Sequence, residues 1–224
     1  AGWLNDGTPI WVMGRGTSTQ VVSRWSGRRL ILAGNSAANP SRRYVEVDFF
    51  DRYPIREVTS ASSEVKPGEG PLYGKFSIFF NNGNTLDFTS NGEIRLRNSG
   101  SGKALSGFFD INEYVARVID REIQAGPAEA AKSLAIIIRT YLLQNAKERE
   151  GCYHIKDSTR FQRVSINPPS QQAKRVAVWS DNLIIEGAPG VQYHRSNSGL
   201  NTLSWEQAKQ LASAGYYYDQ ILRT

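Results

Sequence analysis

The alternation of apolar and polar side chains predicts β-strands through the first hundred residues. The segments Arg28-Leu-Ile-Leu-Ala33 and Tyr44-Val-Glu-Val-Asp-Phe49 alternate in part, as expected of a sheet with one face on the core and the other in solvent. β-Branched and aromatic residues mark the strands, and Gly, Asn and Pro separate them. The predicted strands are residues 9–13, 20–25, 28–33, 44–50, 75–80, 85–89 and 93–98.

Two connections in this β-rich part are predicted from their residues. Asn91-Gly92 predicts a type I′ hairpin turn between strands 85–89 and 93–98, because Asn-Gly readily adopts the two positive φ angles of that turn. Residues 58–71 are rich in Ser, Glu, Lys, Pro and Gly, and this composition predicts an exposed loop.

The pattern changes near residue 100. The stretch 98–102, Asn-Ser-Gly-Ser-Gly, predicts a turn or short linker. We therefore expect a β-rich N-terminal region over 1–100 and a second domain over 104–224. From Asp110 onward the apolar residues recur with the period of a helix.

A pair of helices is predicted next. Asp110 and Glu113 have the spacing of a capping box, and Tyr114, Val118 and Glu122 then fall on one helical face. Gly126-Pro127 ends this helix and begins a second one over about 128–146, since proline suits a first-turn position. Two helices joined so closely form an αα-hairpin.

The remainder predicts short strands and a final helix. The strands are expected at 163–166, 173–179, 183–186 and 191–194, with a turn at Asp181-Asn182. The last helix follows Ser204, which has capping-box spacing to Gln207, and residues 217–222 form one or two more helical turns. Grouped helices and strands predict an α+β fold.

Composition narrows the classes of partner. The 224 residues carry a formal net charge of +6 with 40% hydrophobic residues, which suits a real core and acidic or polyanionic partners. Like charges do not cluster in runs, which argues against a disordered nucleic-acid tail. No apolar stretch reaches the length of a membrane span.

Cys152 is the single cysteine, so an internal disulfide is excluded. The start Ala1-Gly-Trp fits either an exported mature protein or a trimmed chain, and we expect export.

Arg139 lies inside the apolar run Leu134-Ala-Ile-Ile-Ile-Arg139-Thr-Tyr-Leu-Leu143. The run predicts a buried helix, and an arginine cannot lose its charge there. It therefore needs an acidic partner or an anionic ligand. Lys132, seven residues earlier, lies on the same helical face. The two cations indicate either a binding site or a structural ion pair, and the sequence favours neither.

Four segments in the second half, taken together, resemble the stage II sporulation protein D family, which includes the amidase-enhancer proteins. Each motif alone is weak, and their order and spacing carry the resemblance over about 110–222. The branch that looks most similar is the DUF2300-type secreted proteins. The segments are Glu113-Tyr-Val-Ala-Arg-Val-Ile-Asp-Arg-Glu122, Ala128-Glu-Ala-Ala-Lys-Ser-Leu-Ala-Ile-Ile-Ile-Arg-Thr-Tyr141, Asp157-Ser-Thr-Arg-Phe-Gln162 and Tyr193-His-Arg-Ser-Asn-Ser-Gly199.

The resemblance implies a peptidoglycan lytic transglycosylase. Such enzymes cut the β-1,4 bond between N-acetylmuramic acid (MurNAc) and N-acetylglucosamine (GlcNAc), preferably in glycan strands already stripped of stem peptides. The family motifs place the general acid on Glu122. Other catalytic positions are carried over to Lys132, Arg139 and Tyr193. Substrate-binding positions are carried over to Asp157, Gln162, His194, Ser196 and Gly199.

One carboxyl group suffices for this chemistry, because the C6 hydroxyl of the sugar replaces water and gives a 1,6-anhydro product. The acid must be protonated near neutral pH, so its pKa must be raised. Lys132 and Arg139 would lower the pKa of Glu122, so we expect them to face substrate acetamido or lactyl oxygens as well. In a strictly antiparallel hairpin Lys132 is the nearer neighbour of Glu122, and Arg139 lies nearer Tyr114.

Neither a metal nor a cofactor is expected. Some family members bind zinc through cysteines in the third segment, but Lys156 and Phe161 stand at those positions here. Cys152 and His154 alone do not make a tetrahedral zinc site.

Alternatives remain open. The same fold could serve a non-catalytic peptidoglycan-binding or amidase-stimulating protein, with a cell-wall amidase as partner. Nucleic-acid binding is suggested by the basic charge alone and lacks a motif, so no nucleic-acid partner is expected. The expected location is the periplasm or cell envelope of a bacterium, after secretion. The oligomeric state is not predicted. Four aromatic residues are candidates for a sugar-stacking surface or for plain core packing, namely Trp3, Trp11, Trp25 and Tyr44.

Overall fold

The computed structural model confirms the α+β class. It describes residues 2–3, 9–15, 18–25, 28–32, 44–61, 63–100, 102–123, 126–149, 151–158, 162–181, 183–186, 193–194 and 203–222. For residues before 44, and for Glu186, Tyr193, His194 and Leu203, only the backbone is described. The strands are β1 Gly2–Trp3, β2 Pro9–Arg15, β3 Ser18–Trp25, β4 Arg28–Leu32, β5 Tyr44–Phe49, β6 Ile55–Ser60, β7 Ser63–Glu64, β8 Pro71–Phe80, β9 Thr85–Ser99, β10 Gly102–Asp110, β11 Lys147–Arg149, β12 Cys152–Lys156, β13 Leu183–Glu186, β14 Tyr193–His194 and β15 Leu203–Ser204. The helices are α1 Ile111–Ile123, α2 Ala128–Asn145, α3 Gln171–Trp179, α4 Trp205–Ser213 and α5 Tyr218–Ile221.

An eight-stranded sheet forms the centre of the molecule, with the order β11-β12-β5-β10-β9-β8-β6-β7. All its pairs are antiparallel except β12 beside β5. The predicted alternation in β5 is confirmed, because Val45, Val47 and Phe49 are buried and the residues between them are not. This apolar face packs in one core with α1 and α2.

The predicted turn at Asn91-Gly92 is wrong. The strand β9 continues through it, and the register with β8 shifts between the pairs that involve Pro71 and Tyr73. Gly92 has a φ of 101°, and a Cβ there would meet the Tyr73 ring at 2.4 Å. The positive φ of this glycine therefore serves a bulge under an aromatic ring rather than a hairpin turn.

The predicted loop 58–71 is wrong in part, because its first residues belong to β6 and β7 lies within it. Near residue 100 the chain does turn, between β9 and β10. The next strand, β10, pairs with both β9 and β5, so one sheet runs across the predicted domain boundary. The domain division itself stays a prediction.

The αα-hairpin is confirmed. Asp110 Oδ1 accepts the backbone N–H of Glu113 at 2.8 Å at the start of α1, and Pro127 precedes α2. One face of α2 joins the main core, and Ile136 and Ile137 form a second cluster with Ile185 and Leu222. A helix covered on two faces explains the nearly continuous apolar run.

Two predicted strands in the second half are wrong. Residues 173–179 belong to α3, where Ser170 Oγ accepts the N–H of Ala173 at 3.2 Å and acts as N-cap. The buried residues Ala173, Val176 and Ala177 have helical spacing, which the β-branched and aromatic residues around them obscured. Residues 163–166 form no strand, since 163–165 are irregular and Ile166 lies in a bend.

The predicted strand 183–186 is confirmed as β13, which closes a five-stranded sheet in the order β1-β2-β3-β4-β13. The three predicted N-terminal strands are confirmed as β2, β3 and β4. The final helix is confirmed too, with Ser204 Oγ accepting the N–H of Gln207 at 3.0 Å.

Candidate functional site

Two carboxyl groups lie near the end of α1, those of Glu122 and Asp157. Glu122 is half-buried in the last turn of this helix, and its Oε1 accepts the backbone N–H of Arg163 at 3.2 Å. Asp157 directly follows β12, and its Oδ1 accepts the backbone N–H of Val164 at 2.9 Å. The backbone N–H groups of two consecutive residues, Arg163 and Val164, therefore each donate a hydrogen bond to one of the two carboxyl groups.

The environment of Asp157 disfavours its charged form. Burial raises the pKa of Asp157, and the negative charge of Glu122 raises it further. The hydrogen bond from Val164 and the charges of Arg121 and Arg163 act in the opposite direction. A buried carboxyl group with a raised pKa and charged neighbours is typical of functional sites, although structural clusters show the same features.

A buried hydrogen bond lies behind the carboxyl pair. The hydroxyl of Tyr114 donates to Gln162 Oε1 at 2.6 Å, and both side chains are buried. Burial raises the pKa of Tyr114 well above its usual value, with further contributions from Tyr141, Asp157 and Glu122, so Tyr114 stays a neutral donor. Gln162 Nε2 is buried and has no hydrogen-bond partner among the described residues.

Arg117 fastens the segment that carries the two amides. This fully buried side chain donates from one terminal nitrogen to three consecutive carbonyls, those of Ser165 at 3.2 Å, Ile166 at 2.8 Å and Asn167 at 3.0 Å. Its Nε pairs with Glu113 at 3.1 Å. Sequence reasoning missed this residue. The available signal was an arginine flanked by Ala116 and Val118 within an apolar helix, the same signal that drew attention to Arg139.

An open cleft of about 700 Å³ lies beside the carboxyl pair. One wall comes from the end of α1 and the segments after β12, and contributes Arg121, Asp157, Ser158 and Arg163. The other wall comes from the loops around β5 and β8. That wall contributes the rings of Phe50, Tyr53 and Phe80, the guanidinium of Arg52 and the amides of Asn82 and Asn84. Glu122 lies next to this lining and not in it, since its neighbour Arg121 and its hydrogen-bond partner Arg163 are lining residues. We call this the Glu122 cleft.

Arg139 lies at the opposite end of the hairpin. Its Nε donates to Ser180 Oγ at 3.1 Å, and one terminal nitrogen donates to the Ala177 carbonyl at 2.6 Å and to Asn112. Asp181 pairs with it at 3.8 Å. Burial lowers the pKa of Arg139 to about 10, which leaves it charged at neutral pH. We call these residues the Arg139 cluster.

The position of the cluster agrees with the antiparallel geometry expected for the hairpin. Asn112 precedes Glu122 by ten residues, which is about 15 Å along a helix axis. Arg139 thus bonds to the start of α1, and Glu122 lies at its end. Since Arg139 is buried and already bonded, the structural interpretation of this cation has direct support.

Lys132 pairs with Glu129 at 2.6 Å, and its ammonium lies 4.8 Å from the centre of the Trp179 ring. In the described part of the chain, no ion pair joins Lys132 or Arg139 to Glu122. The catalytic roles of these two cations therefore stay predictions.

The remaining predicted site residues lie partly outside the described chain. Only the backbone of Tyr193 and His194 is described, in β14 beside β15, and Ser196 and Gly199 lie outside the described residues. The side chains of Trp3, Trp11 and Trp25 are likewise outside it. Tyr44 is exposed and stacks on Phe108 with the ring centres 5.1 Å apart, so it faces away from the core.

The zinc position of some family members does not fit this chain. Lys156 pairs with Asp51 at 2.9 Å, and His154 Nδ1 pairs with Glu46 at 2.9 Å. Within the described residues, no group of three His, Cys, Asp or Glu side chains could hold a metal ion.

Chemically, the Glu122 cleft combines the Asp157 carboxyl group, whose pKa is raised, with aromatic rings and amide groups, and the half-buried Glu122 carboxyl group lies next to its lining. Rings stack on apolar sugar faces, and amides bond to sugar hydroxyls. Such a combination can bind a saccharide and supply a proton to it.

Comparison with known proteins supports the predicted resemblance in part. The chain is 42% identical over 224 residues to the uncharacterized protein YfaQ of Escherichia coli (strain K12), and this alignment covers 99% of the chain and 40% of that protein. The chain thus spans less than half the length of this relative. No solved structure matches the chain significantly. The link to DUF2300-type proteins stays a prediction. Residues 104–180, which include Glu122 and Asp157, match the family described as Stage II sporulation protein.

Proposed function

We propose that this protein is a peptidoglycan lytic transglycosylase in which Glu122 is the acid and base. The family that residues 104–180 match is linked to cell-wall peptidoglycan. The observation that carries the proposal is the position of Glu122, half-buried and held by the Arg163 amide beside a cleft with rings and amides.

In the proposed reaction, protonated Glu122 donates its proton to the oxygen that links MurNAc to the next GlcNAc. The bond between this oxygen and the anomeric carbon of MurNAc breaks. The C6 hydroxyl of the same MurNAc then bonds to the anomeric carbon, and its proton passes to the Glu122 carboxylate. The products are a 1,6-anhydro-MurNAc end and a free GlcNAc hydroxyl, and Glu122 regains its starting protonation state.

The surroundings of Glu122 support this role in two ways. The Arg163 amide fixes one carboxyl oxygen at 3.2 Å, so the other oxygen can face a substrate. The nearby Asp157 disfavours two simultaneous negative charges at close range. We assign Asp157 to the proton balance of the site, because the charge of Glu122 contributes to its raised pKa. This role differs from the substrate contact implied by the resemblance.

The cellular setting belongs to the same proposal. Action on peptidoglycan requires export, and we propose the periplasm or cell envelope as the location. In the described part of the chain, every helix is too short or too polar to cross a membrane. A cell-wall amidase is the proposed protein partner, since amidases produce the stripped strands that suit this chemistry.

The direct experiment incubates the protein with peptide-free glycan strands and identifies the products by mass spectrometry. Wild type should release 1,6-anhydro-MurNAc ends. Glu122→Gln should reduce their formation at least about 100-fold, because it removes the only proton donor in the proposed step. Glu206→Gln is the matched control, as Glu206 is an exposed helical glutamate in α4, and it should match wild type.

Three results would contradict the proposal. Reducing MurNAc ends would indicate hydrolysis by water. Full activity in Glu122→Gln would remove Glu122 from the chemistry. Glycan binding without any cleavage by wild type would favour the non-catalytic peptidoglycan-binding or amidase-stimulating alternative.

A further inference from the structure

A second cavity opens on the outer face of the central sheet, the face turned away from the core that α1 and α2 share with it. Its volume is about 850 Å³, and strands β6, β8 and β9 supply most of its lining. In β8, Phe76, Ile78 and Phe80 are buried, so Ser77 and Phe79 between them point outward into this cavity. We call it the outer-face cavity.

The outer-face cavity is separate from the Glu122 cleft, but both border the start of β9. Thr85 and Leu86 line the cleft, whereas Asp87 and Thr89 line the outer-face cavity. Asn167 completes the wall beside β9, and its Oδ1 accepts the backbone N–H of Thr89 at 2.9 Å. Successive residues of one strand thus line the two cavities, which places them next to each other.

Hydrogen-bonding groups lie at the centre of the outer-face cavity. The strand register pairs Thr59 with Ser77 and Ser77 with Asp87, so these three side chains lie side by side. The hydroxyl of Ser77 donates to Asp87 Oδ1 at 2.6 Å, which leaves the other oxygen of this carboxylate for a ligand. Glu57 and Lys75 also line the cavity, and neither forms an ion pair with a described residue.

The charges of the lining narrow the class of ligand. Two carboxylates, those of Glu57 and Asp87, stand against the single ammonium of Lys75, so an anionic ligand meets net repulsion. Among the described residues, no group of three His, Cys, Asp or Glu side chains could hold a metal ion.

An uncharged saccharide fits this lining. Sugar hydroxyls donate to carboxylates and accept from an ammonium or a hydroxyl group, and these are the groups that the cavity offers. The Phe79 ring adds an apolar surface of the kind that a sugar face can cover. The volume also lies in the usual range for a small-molecule site.

The backbone beside each cavity is strained. In the described chain, Phe50 and Ala61 are the non-glycine residues with positive φ, at 59° and 47°. Phe50 lines the Glu122 cleft and Ala61 lines the outer-face cavity. Such conformations are unfavourable for a residue with a Cβ and cluster at ligand-binding sites, which supports a binding role for the second cavity as well as for the first.

We propose that the outer-face cavity binds a GlcNAc unit through Glu57, Ser77 and Asp87, and so holds a glycan strand of which another part occupies the Glu122 cleft. The identity of the strand rests on the proposed function, whereas the choice of an uncharged sugar rests on the lining. These three residues lie outside residues 104–180, the segment that matches the Stage II sporulation protein family. The β-rich region thereby gains a role as a second glycan-binding site.

The test locates binding without relying on cleavage. A GlcNAc tetramer is added to isotope-labelled Glu122→Gln protein, and backbone amide signals are followed by NMR. Amides of the outer-face cavity, including those of Thr59 and Ser77, should shift and give one Kd for this site. A tetramer of galacturonic acid, which carries a carboxylate on every ring, should bind there at least about tenfold more weakly, because Glu57 and Asp87 repel it.

Matched variants separate ligand contact from folding. Glu57→Gln and Asp87→Asn should each weaken binding of the GlcNAc tetramer at this site about fivefold, because each replaces a charge-assisted hydrogen bond by a neutral one. Glu206→Gln, which changes an exposed glutamate of α4, should leave the Kd unchanged. Thermal unfolding of each variant checks that the fold persists.

Long strands test whether the two cavities act together. In the Glu122→Gln background, long peptide-free glycan strands should bind at least about tenfold more tightly than the GlcNAc tetramer, because a strand held at one site reaches the second at high effective concentration. Adding Asp87→Asn should remove most of this gain, and adding Glu206→Gln should retain it.

Three outcomes would overturn the inference. They are unshifted amides in the outer-face cavity, equal binding of the two tetramers there, and a long-strand gain that survives Asp87→Asn. Its fate is distinct from that of the proposed function. If wild type releases anhydro ends while the amides of this cavity do not shift, only the second site fails. If the cavity binds GlcNAc and wild type cleaves nothing, only the catalytic proposal fails.

Discussion

The two ends of the αα-hairpin both carry ionisable side chains, but they satisfy them differently. At the Arg139 cluster, a buried guanidinium bonds to Ser180, the Ala177 carbonyl and Asn112, and pairs with Asp181. At the other end, Glu122 and Asp157 are each held by one backbone amide, and the nearby buried amide nitrogen of Gln162 has no hydrogen-bond partner among the described residues.

This contrast separates a structural role from a binding role. Other protein groups already bond to the buried guanidinium of Arg139. Removing this side chain should therefore lower the free energy of unfolding before it affects activity. The Glu122 cleft leaves polar groups available and places two carboxyl groups together, so changes there should affect ligand binding and proton transfer first. Buried groups without partners are unfavourable for stability, and active sites commonly keep such features.

The largest effect is expected for Arg139→Met, which keeps much of the volume and removes the donors. The free energy of unfolding should fall by about 3 kcal/mol, because Ser180, Asn112 and the Ala177 carbonyl lose their buried partner. Urea denaturation followed by circular dichroism measures this. The folded fraction should keep its glycan-cleaving activity. Arg175→Met, on the exposed face of α3, should change stability by less than about 0.5 kcal/mol.

One result for Arg139→Met would contradict the distinction between a structural Arg139 cluster and a functional Glu122 cleft. A variant as stable as wild type that no longer cleaves glycan would place Arg139 in the catalytic machinery, as the family resemblance implies.

Asp157→Asn should raise the free energy of unfolding, whereas Arg139→Met lowers it. The pKa of Asp157 is raised above its ordinary value of 3.8, mainly by burial, so folding favours the protonated form. The ionised carboxylate therefore opposes folding once the pH rises through the folded-state pKa. Asparagine keeps an oxygen for the Val164 amide, so the variant should be more stable than wild type at pH 7, by on the order of 1 kcal/mol.

This gain should disappear as the pH falls below 3.8, where Asp157 is protonated in both states. Urea denaturation at a series of pH values measures the trend for both proteins. A variant that is less stable than wild type at pH 7 would show that Asp157 is a structural acceptor and not a strained site group.

The smallest effect is expected for Lys132→Met. Lys132 is partly exposed, and it contacts Glu129 and the Trp179 ring, so its loss should change stability by less than about 1 kcal/mol. Release of anhydro ends should stay within about threefold of wild type. A drop of tenfold or more at unchanged stability would show that Lys132 reaches the substrate, and would extend the functional region beyond the Glu122 cleft.

Much of the fold was predictable because local signals agreed with tertiary packing. Asp110 and Ser204 mark helix starts through side-chain hydrogen bonds within one turn, and Pro127 does so through its fixed φ angle. All three helices begin there. The helix α3 was missed because Val176, Val178 and Trp179 favour strands by type, whereas burial of Ala173 and Ala177 decides in favour of a helix. At Gly92 the ring of Tyr73, nineteen residues away in sequence, decides the conformation.

The candidate site was predictable only where a motif carried it. Glu122, Asp157 and Gln162 come from the family resemblance, and the structure brings them to one place. Arg52 and Tyr53 line the same cleft as Asp157 because the sheet brings their segments together. No local sequence pattern predicts that segments about 100 residues apart meet. The hydrogen-bond partners of Arg139 could not be predicted for the same reason. Ser180 and Asn112 contact it only when α1, α2 and α3 pack together.

The most direct test of the central claim is a crystal structure of Glu122→Gln with a peptide-free GlcNAc–MurNAc tetrasaccharide. The account predicts a sugar in the Glu122 cleft, with a linking oxygen within hydrogen-bond distance of Gln at position 122. A tetrasaccharide bound against Trp179 and Lys132, with the Glu122 cleft empty, would contradict it.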